Sequence, residues 1–217
     1  MNDLLIGTGF YSDKSSHAAN LYQLGLWLEN TIPTTPNIVV VDNSVVGIDS
    51  DCLRIIRNNK NLGHVGDPSA PKGAHNRLQG WSMSWIQPAL VAYVEGCDYI
   101  YKEQDCFAFG DWLPLMKNAS ITFGRNSRLD CEQSLFWIRH DRILDFVGNY
   151  ILMGERDCDR LPENKFMHLR AIGDVEFHSL PGGRDRPLPD LDKPFYLQKI
   201  TSYEMLLLES KKLLWTK

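Results

Sequence analysis

Residues 97–113 read CDYIYKEQDCFAFGDWL, from Cys97 to Leu113, and their reading decides the fold. Ile100 and Tyr101 lie between Tyr99 and a charged tail, which suits a short strand emerging from a core. That strand ends in Glu103-Gln104-Asp105, two carboxylates one residue apart at the end of a buried element. In an extended segment alternate residues point the same way, so Glu103 and Asp105 are expected to face one ligand. Two crowded carboxylates repel each other unless a cation or a hydroxyl-rich ligand stands between them. Hard oxygen ligands of this kind suit Mg²⁺ or Mn²⁺, and Mg²⁺ commonly uses one or two carboxylates plus phosphate oxygens. A solvated strand-to-loop turn accounts for the same residues, so the rest of the chain has to decide.

Upstream, Leu4-Leu5-Ile6 predicts a first strand running into a glycine loop, Gly7-Thr8-Gly9-Phe10-Tyr11. His17 to Asn30 carries Ala18, Leu21, Leu24, Leu26 and Leu28 at mixed helical spacing, a helix facing a sheet. Two glycines without a third make a poor dinucleotide fingerprint and read more simply as a strand-to-helix turn. Ile38-Val39-Val40-Val41 is a β-branched run suited to a strand covered on both faces, and it ends in Asp42-Asn43-Ser44. Ligands of open α/β sheets bind beyond the carboxyl ends of strands, so Asp42 is placed to meet a base or ribose or to close an Asx-turn. Leu53 to Arg57 is a short segment, Val65 to Gly73 an irregular loop, and Ala74 to Val94 a long helix interrupted near Pro88. Trp81 and Trp85 belong to the buried side of that helix.

Downstream, Asp111 is a candidate helix cap before Trp112-Leu113. Ile121 to Phe123 and Ser134 to Ile138 read as strands, and Asp141 to Val147 as a short connecting helix. Pro162 opens a helix over Glu163 to Ile172 that Gly173 ends. Val175 to His178 alternates like a strand, Pro181 to Pro187 reads as a loop, and Lys199 to Trp215 as a leucine-rich helix. Alternating strands and helices through the first half argue for a mostly parallel α/β sheet flanked by helices.

The chain has 217 residues, enough for one domain with a sizeable core. Its net charge of −4 offers no basic excess for nucleic acid. The five cysteines, Cys52, Cys97, Cys106, Cys131 and Cys158, form no CxxC pair. That pattern predicts reduced thiols and a cytoplasmic setting. The amino terminus has no basic segment before an apolar run, and no apolar stretch approaches the roughly 20 residues of a membrane span.

Five punctuation points in order resemble the GT-A glycosyltransferases, especially their large family-2 group. They are Val40-Val41-Asp42-Asn43-Ser44, Asn61-Leu62-Gly63, Gly73-Ala74-His75-Asn76, Glu103-Gln104-Asp105 and Asp111-Trp112-Leu113. The agreement spans about residues 4 to 113. The resemblance implies a Rossmann-like, nucleotide-diphospho-sugar transferase fold in a single domain, with residues 1–113 binding the nucleotide and 114–217 the acceptor. It implies donor contacts from Thr8, Tyr11, Asp42, Asn76, Glu103 and Gln104, and a divalent metal, Mn²⁺ or Mg²⁺, on Asp105. Glutamate at position 103 keeps the charge of the family's usual aspartate but lengthens the arm. Glu163-Asn164 resembles the family's two-acid helix start; Asn164 cannot act as a base, so the resemblance leaves Glu163 as the catalytic base, with Asp157 and Glu155 in reserve. Glu163 also suits a helix N-terminus on electrostatic grounds alone. His178 matches a histidine that completes the metal shell in many such enzymes, and Arg184 and Arg186 suit phosphate contact from a closing loop. The activity implied is inverting transfer of a sugar from a UDP-sugar to a hydroxyl of a carbohydrate or glycoconjugate acceptor. A sugar nucleotidyltransferase, which would carry a basic glycine-rich loop, and a noncatalytic carbohydrate- or partner-binding domain with a degenerate site are the rivals.

Overall fold

The structure is a computed structural model describing residues 3–58, 80–124, 132–156, 175–177, 180–183, 189–200 and 202–211, together with Phe166 and Leu169. Elements follow in chain order as β1 (Leu4–Phe10), α1 (His17–Thr31), β2 (Ile38–Asp42), β3 (Arg54–Arg57), α2 (Gly80–Glu95), β4 (Asp98–Lys102) and β5 (Cys106–Phe109). After the one-turn α3 (Leu113–Met116) come β6 (Ile121–Gly124), β7 (Glu132–Ile138) and α4 (Ile143–Arg156). The last elements are β8 (Val175–Phe177), β9 (Gly182–Gly183), β10 (Phe195–Gln198) and α5 (Ser202–Ser210).

A seven-stranded sheet runs in the order β3-β2-β1-β4-β7-β6-β8. The first four strands are mutually parallel, β7 is antiparallel to both neighbours, and β8 is parallel to β6. The sheet is therefore mostly parallel, as the alternation of elements predicts. Strand alternation sends Leu5, Tyr99 and Tyr101 to one face, where they pack with Trp85, Phe136 and Phe146 of α2, β7 and α4. Ile6, Phe10 and Ile100 face the other way, against Leu24 and Trp27 of α1. That second face also carries a three-stranded sheet, β5-β10-β9. Each face thus has its own cover, which is why β2 is a continuous buried run.

The two glycines of β1 differ from expectation. They form no loop: β1 continues through them, with Gly7 opposite Val39 and Gly9 opposite Val41. Their job is close packing. A Cβ on Gly9 would stand 2.1 Å from Ser84 Oγ, and one on Gly7 2.5 Å from Pro88 Cβ. Pro88 lies inside α2 without ending it; a proline that removes one backbone bond is accommodated where helix and strand touch.

Other boundaries shift as well. The reading of Cys106 to Phe109 as a continuation of one stretch misses a strand that pairs antiparallel with β10. Gly182 and Gly183 are a strand rather than loop; Gly182 holds a φ of 135° that side chains disfavour, and a Cβ there would also collide with the Tyr196 carbonyl. Trp112, not Asp111, stands at the start of α3 and no side chain caps it. The helix after the His140–Arg142 3-10 turn runs on to Arg156 instead of stopping at Val147. Among the described residues no helix is long and apolar enough to cross a membrane, and Cys52, Cys97 and Cys106 are free thiols.

Candidate functional site

β1, β2 and β4 end side by side at their carboxyl ends, and the polar residues there form the candidate site. Glu103 follows β4 directly, yet the acid pair is not extended. Cys106 N–H donates to the Glu103 carbonyl at 2.9 Å, closing a tight turn over Glu103-Gln104-Asp105-Cys106. Strand alternation therefore does not align the two carboxylates. A side chain from elsewhere does: Gln198 Nε2 at the end of β10 donates to Glu103 Oε2 and, at 3.3 Å, to Asp105 Oδ1. Trp81 Nε1 on α2 donates to Glu103 Oε1 at 2.7 Å. Lys199 N–H reaches the Asp105 carbonyl at 3.1 Å, with Lys199 held at φ 55°, a region that disfavours side chains bearing a Cβ.

Asp42 sits at the end of β2, fully buried. Its Oδ1 accepts the Ser44 N–H at 2.9 Å and the Ser44 hydroxyl; its Oδ2 accepts the Ile48 N–H at 2.7 Å and lies 3.4 Å from Arg57 Nε. The Asx-turn and a folded 43–48 loop thus occupy this carboxylate. Beside it, Asn43 Nδ2 reaches Ser84 Oγ at 3.2 Å and Asn43 Oδ1 accepts from Asn58 at 2.6 Å, tying the loop to α2. Thr8 is buried inside β1 opposite Val40, on the α1 side of the sheet. Tyr11 follows β1 and is about half exposed. The segment after it is ordered by Asp13, whose Oδ1 accepts from both N–H and O–H of Ser15 and Ser16; those bonds, the Ser15 hydroxyl first, hold its carboxyl down at about 2. Ser12 Oγ and His17 Nδ1 are 2.7 Å apart at the start of α1.

Of the residues expected to act, Asp42 is the last residue of β2, Glu103, Gln104 and Asp105 lie past the end of β4, and Tyr11 lies past β1. Asn76, Asp157, Glu163, His178, Arg184 and Arg186 lie outside the described residues. Among the described residues no group of three or more His, Cys, Asp or Glu side chains stands together as a metal cage. Sequence reasoning missed Gln198, whose single signal is a polar residue closing the apolar run Phe195-Tyr196-Leu197. It also assigned Trp81 to packing alone. The indole does pack, edge-on to Tyr101 and Phe166, while its N–H holds Glu103.

One step back along β4, Lys102 is fully buried on the α1 side. Its Nζ donates to Asn30 Oδ1 at 2.6 Å and Thr31 Oγ1 at 2.8 Å, and it lies 5.2 Å from the Trp27 ring centroid. Burial, which disfavours the charged form, pushes the amine down to about 7. The same burial pushes the neighbouring Cys106 thiol and the Tyr101 phenol up.

This strand order, with the acid turn at the end of β4, is the GT-A fold. The fold is shared with solved glycosyltransferases at very low sequence identity. Over 99% of this chain and 97% of the other, it matches an active-site mutant of LgtC with a TM-score of 0.54 at 10% identity. It matches the apo form of GlyE from Streptococcus pneumoniae TIGR4 with a TM-score of 0.54 at 11% identity, over 93% of this chain and 55% of GlyE. A second GlyE structure gives 0.51 at 10% identity over the same shares. The chain thus spans about half the length of GlyE. No protein-family model matches the sequence, and no curated protein does.

Proposed function

We propose that this chain is a metal-dependent glycosyltransferase that moves a sugar from a nucleotide-diphosphate donor, a UDP-sugar, to a hydroxyl acceptor with inversion. The observation that carries this reading is the Glu103–Asp105 turn, fixed by Gln198 and Trp81 at the carboxyl end of β4 in a GT-A sheet. The donor set suits Mn²⁺ or Mg²⁺. Hard carboxylate oxygens on one turn match ions that take one or two carboxylates and complete their shells with phosphate oxygens and water. Asp105 would hold the ion, joined by His178 on the family resemblance, and Glu103 would meet the ribose or the donor sugar. When bound, the ion offsets charge developing on the departing nucleoside diphosphate.

The remaining work falls to the chain's own groups. Arg184 and Arg186 would grip the phosphates, and Tyr11 and Asn76 the rest of the nucleotide. Glu163, with Asp157 in reserve, takes the acceptor proton as the hydroxyl oxygen bonds to the anomeric carbon. The bond from that carbon to phosphate breaks, its electron pair leaving with the diphosphate. Attack from the face opposite the leaving group inverts the centre.

A second reading, a noncatalytic carbohydrate- or partner-binding domain, draws on one feature: both oxygens of Glu103 and both of Asp42 are already engaged by the protein. UDP release from UDP-sugars with and without Mn²⁺ separates the two. Metal-dependent release that Asp105→Ala abolishes supports the enzyme, and no release from any UDP-sugar refutes it. Glu163→Gln is expected to keep donor affinity and lower turnover about 10²-fold or more. Unchanged turnover passes the role to Asp157 or Glu155, and the configuration of the product tests inversion.

A further inference from the structure

A cavity of about 480 Å³ lies between α1 and the start of α5, beside the acid turn. That volume falls in the range of roughly 300–1,000 Å³ typical of small-ligand sites. Its α1 wall is one helical stripe, Ala19, Tyr22, Gln23 and Leu26, at the i, i+3, i+4, i+7 spacing that places side chains on one face. The opposite wall is Gln104, Asp105 and Phe107 together with Lys199, Ile200 and Met205. Two independent features mark this place. Gln104 Oε1 is buried and makes no hydrogen bond among the described residues, an arrangement that is unfavourable unless a ligand supplies the donor. Lys199 keeps a left-handed backbone that few residues other than glycine adopt, and such strain concentrates at ligand sites.

We propose that this cavity is a subsite for a neutral pyranose ring of the acceptor. This rests on the glycosyltransferase reading above and names where its acceptor sits. The lining has two characters. Tyr22, 67% exposed at the rim, offers a ring face, with Phe107, Leu26, Ile200 and Met205 adding apolar surface. Gln23, Gln104, Asp105 and Lys199 offer amide, carboxylate and ammonium groups. A pyranose has the matching pair of surfaces, a C–H face for the aromatic and a hydroxyl edge for the amides. An alkyl chain satisfies only the first and strips water from four polar groups without replacing it. Asp105 belongs to both the cavity wall and the acid turn, so a sugar held here lies next to the proposed donor phosphates.

The test uses the whole chain without nucleotide and, as probes, the methyl glycosides of glucose, galactose, mannose and N-acetylglucosamine, plus octyl glucoside. Saturation-transfer NMR at millimolar glycoside is expected to label the ring protons of at least one methyl glycoside. Tyr22→Ala and Gln23→Ala, both surface changes on α1, are expected to weaken that binding about 5- to 10-fold, while circular dichroism stays that of the wild type. Silence from every methyl glycoside, labelling equal in wild type and both variants, or labelling of octyl protons alone each overturns the subsite. In a separate assay, the ratio of glycoside-stimulated to water-only UDP release should fall in Tyr22→Ala. Absence of any UDP release sinks the enzyme reading and leaves the glycoside-binding result to stand or fall by itself.

Discussion

Lys102→Met should change how stability depends on pH in a direction opposite to an ordinary surface lysine. In the folded chain the amine sits at about 7 against 10.5 for a free side chain. When it is charged in both states, folding carries a penalty of about 5 kcal/mol, at about 1.36 kcal/mol per pH unit between the two values. The sign follows from proton counts. Below pH 7 both states hold the proton and the penalty is constant. Between pH 7 and 10.5 the unfolded chain holds more protons than the folded one, so stability rises with pH. Methionine is unbranched, of similar length and carries no proton, so the variant lacks this slope. It also loses the bonds to Asn30 and Thr31, which adds an offset independent of pH; Asn30 keeps its bonds to both Ala108 backbone groups. Urea unfolding of both proteins at pH 5.5, 6.5, 7, 8 and 9 reads the difference. From pH 7 to pH 9 the wild type should gain about 2 kcal/mol on the variant, with little change between pH 5.5 and 6.5. A flat or falling difference across pH 7 to 9 refutes the reasoning, because it requires the buried amine to stay charged.

Two further substitutions probe the frame of the site. Gly9→Ala puts a methyl group into Ser84, 2.1 Å from its Oγ and 2.4 Å from its Cβ. It should cost about 1–3 kcal/mol in urea unfolding, part of it recovered when Ser84→Gly is added. Gln198→Leu keeps side-chain volume and removes the amide shared by the two carboxylates. Hydrogen bonds to charged groups contribute about 1.5–3 kcal/mol each, so Mn²⁺-dependent UDP binding should weaken about 10-fold or more, read by titration calorimetry. Binding as tight as the wild type's means that the amide does not position the acid pair.

What the sequence revealed divides along a physical line. β2 was visible because a strand buried on both faces must be apolar throughout, and Ile38 to Val41 has no other reading. The acids of the turn drew notice because two crowded carboxylates repel unless a cation or hydroxyl-rich ligand stands between them, although a solvated turn accounts for the same pair. What local pattern could not carry was anything set by partners remote in the chain. Gln198 reaches Glu103 across 95 positions, and Trp81 across 22. Lys102 read as a charged tail because its acceptors, Asn30 and Thr31, lie 72 and 71 residues away. The glycines of β1 read as a loop for a related reason: only the docked α2 shows that they stay extended and make room for Ser84 and Pro88.

Those remote contacts converge on one short strand. β10 pairs with β5 so that Gln198 stands opposite Cys106, the residue that closes the acid turn. From that register its side chain spans Glu103 and Asp105, and the next residue, Lys199, bonds the Asp105 backbone and lines the α1 cavity. The acid pair and one wall of the cavity are therefore tied to the same short segment, Gln198-Lys199, while Trp81 holds Glu103 from α2. A change that shifts β10, such as filling Gly182 where the Tyr196 carbonyl approaches, cannot disturb one without the other. Donor and acceptor binding should weaken together in such a variant, whereas Tyr22→Ala, on the far wall, should act on the acceptor end alone.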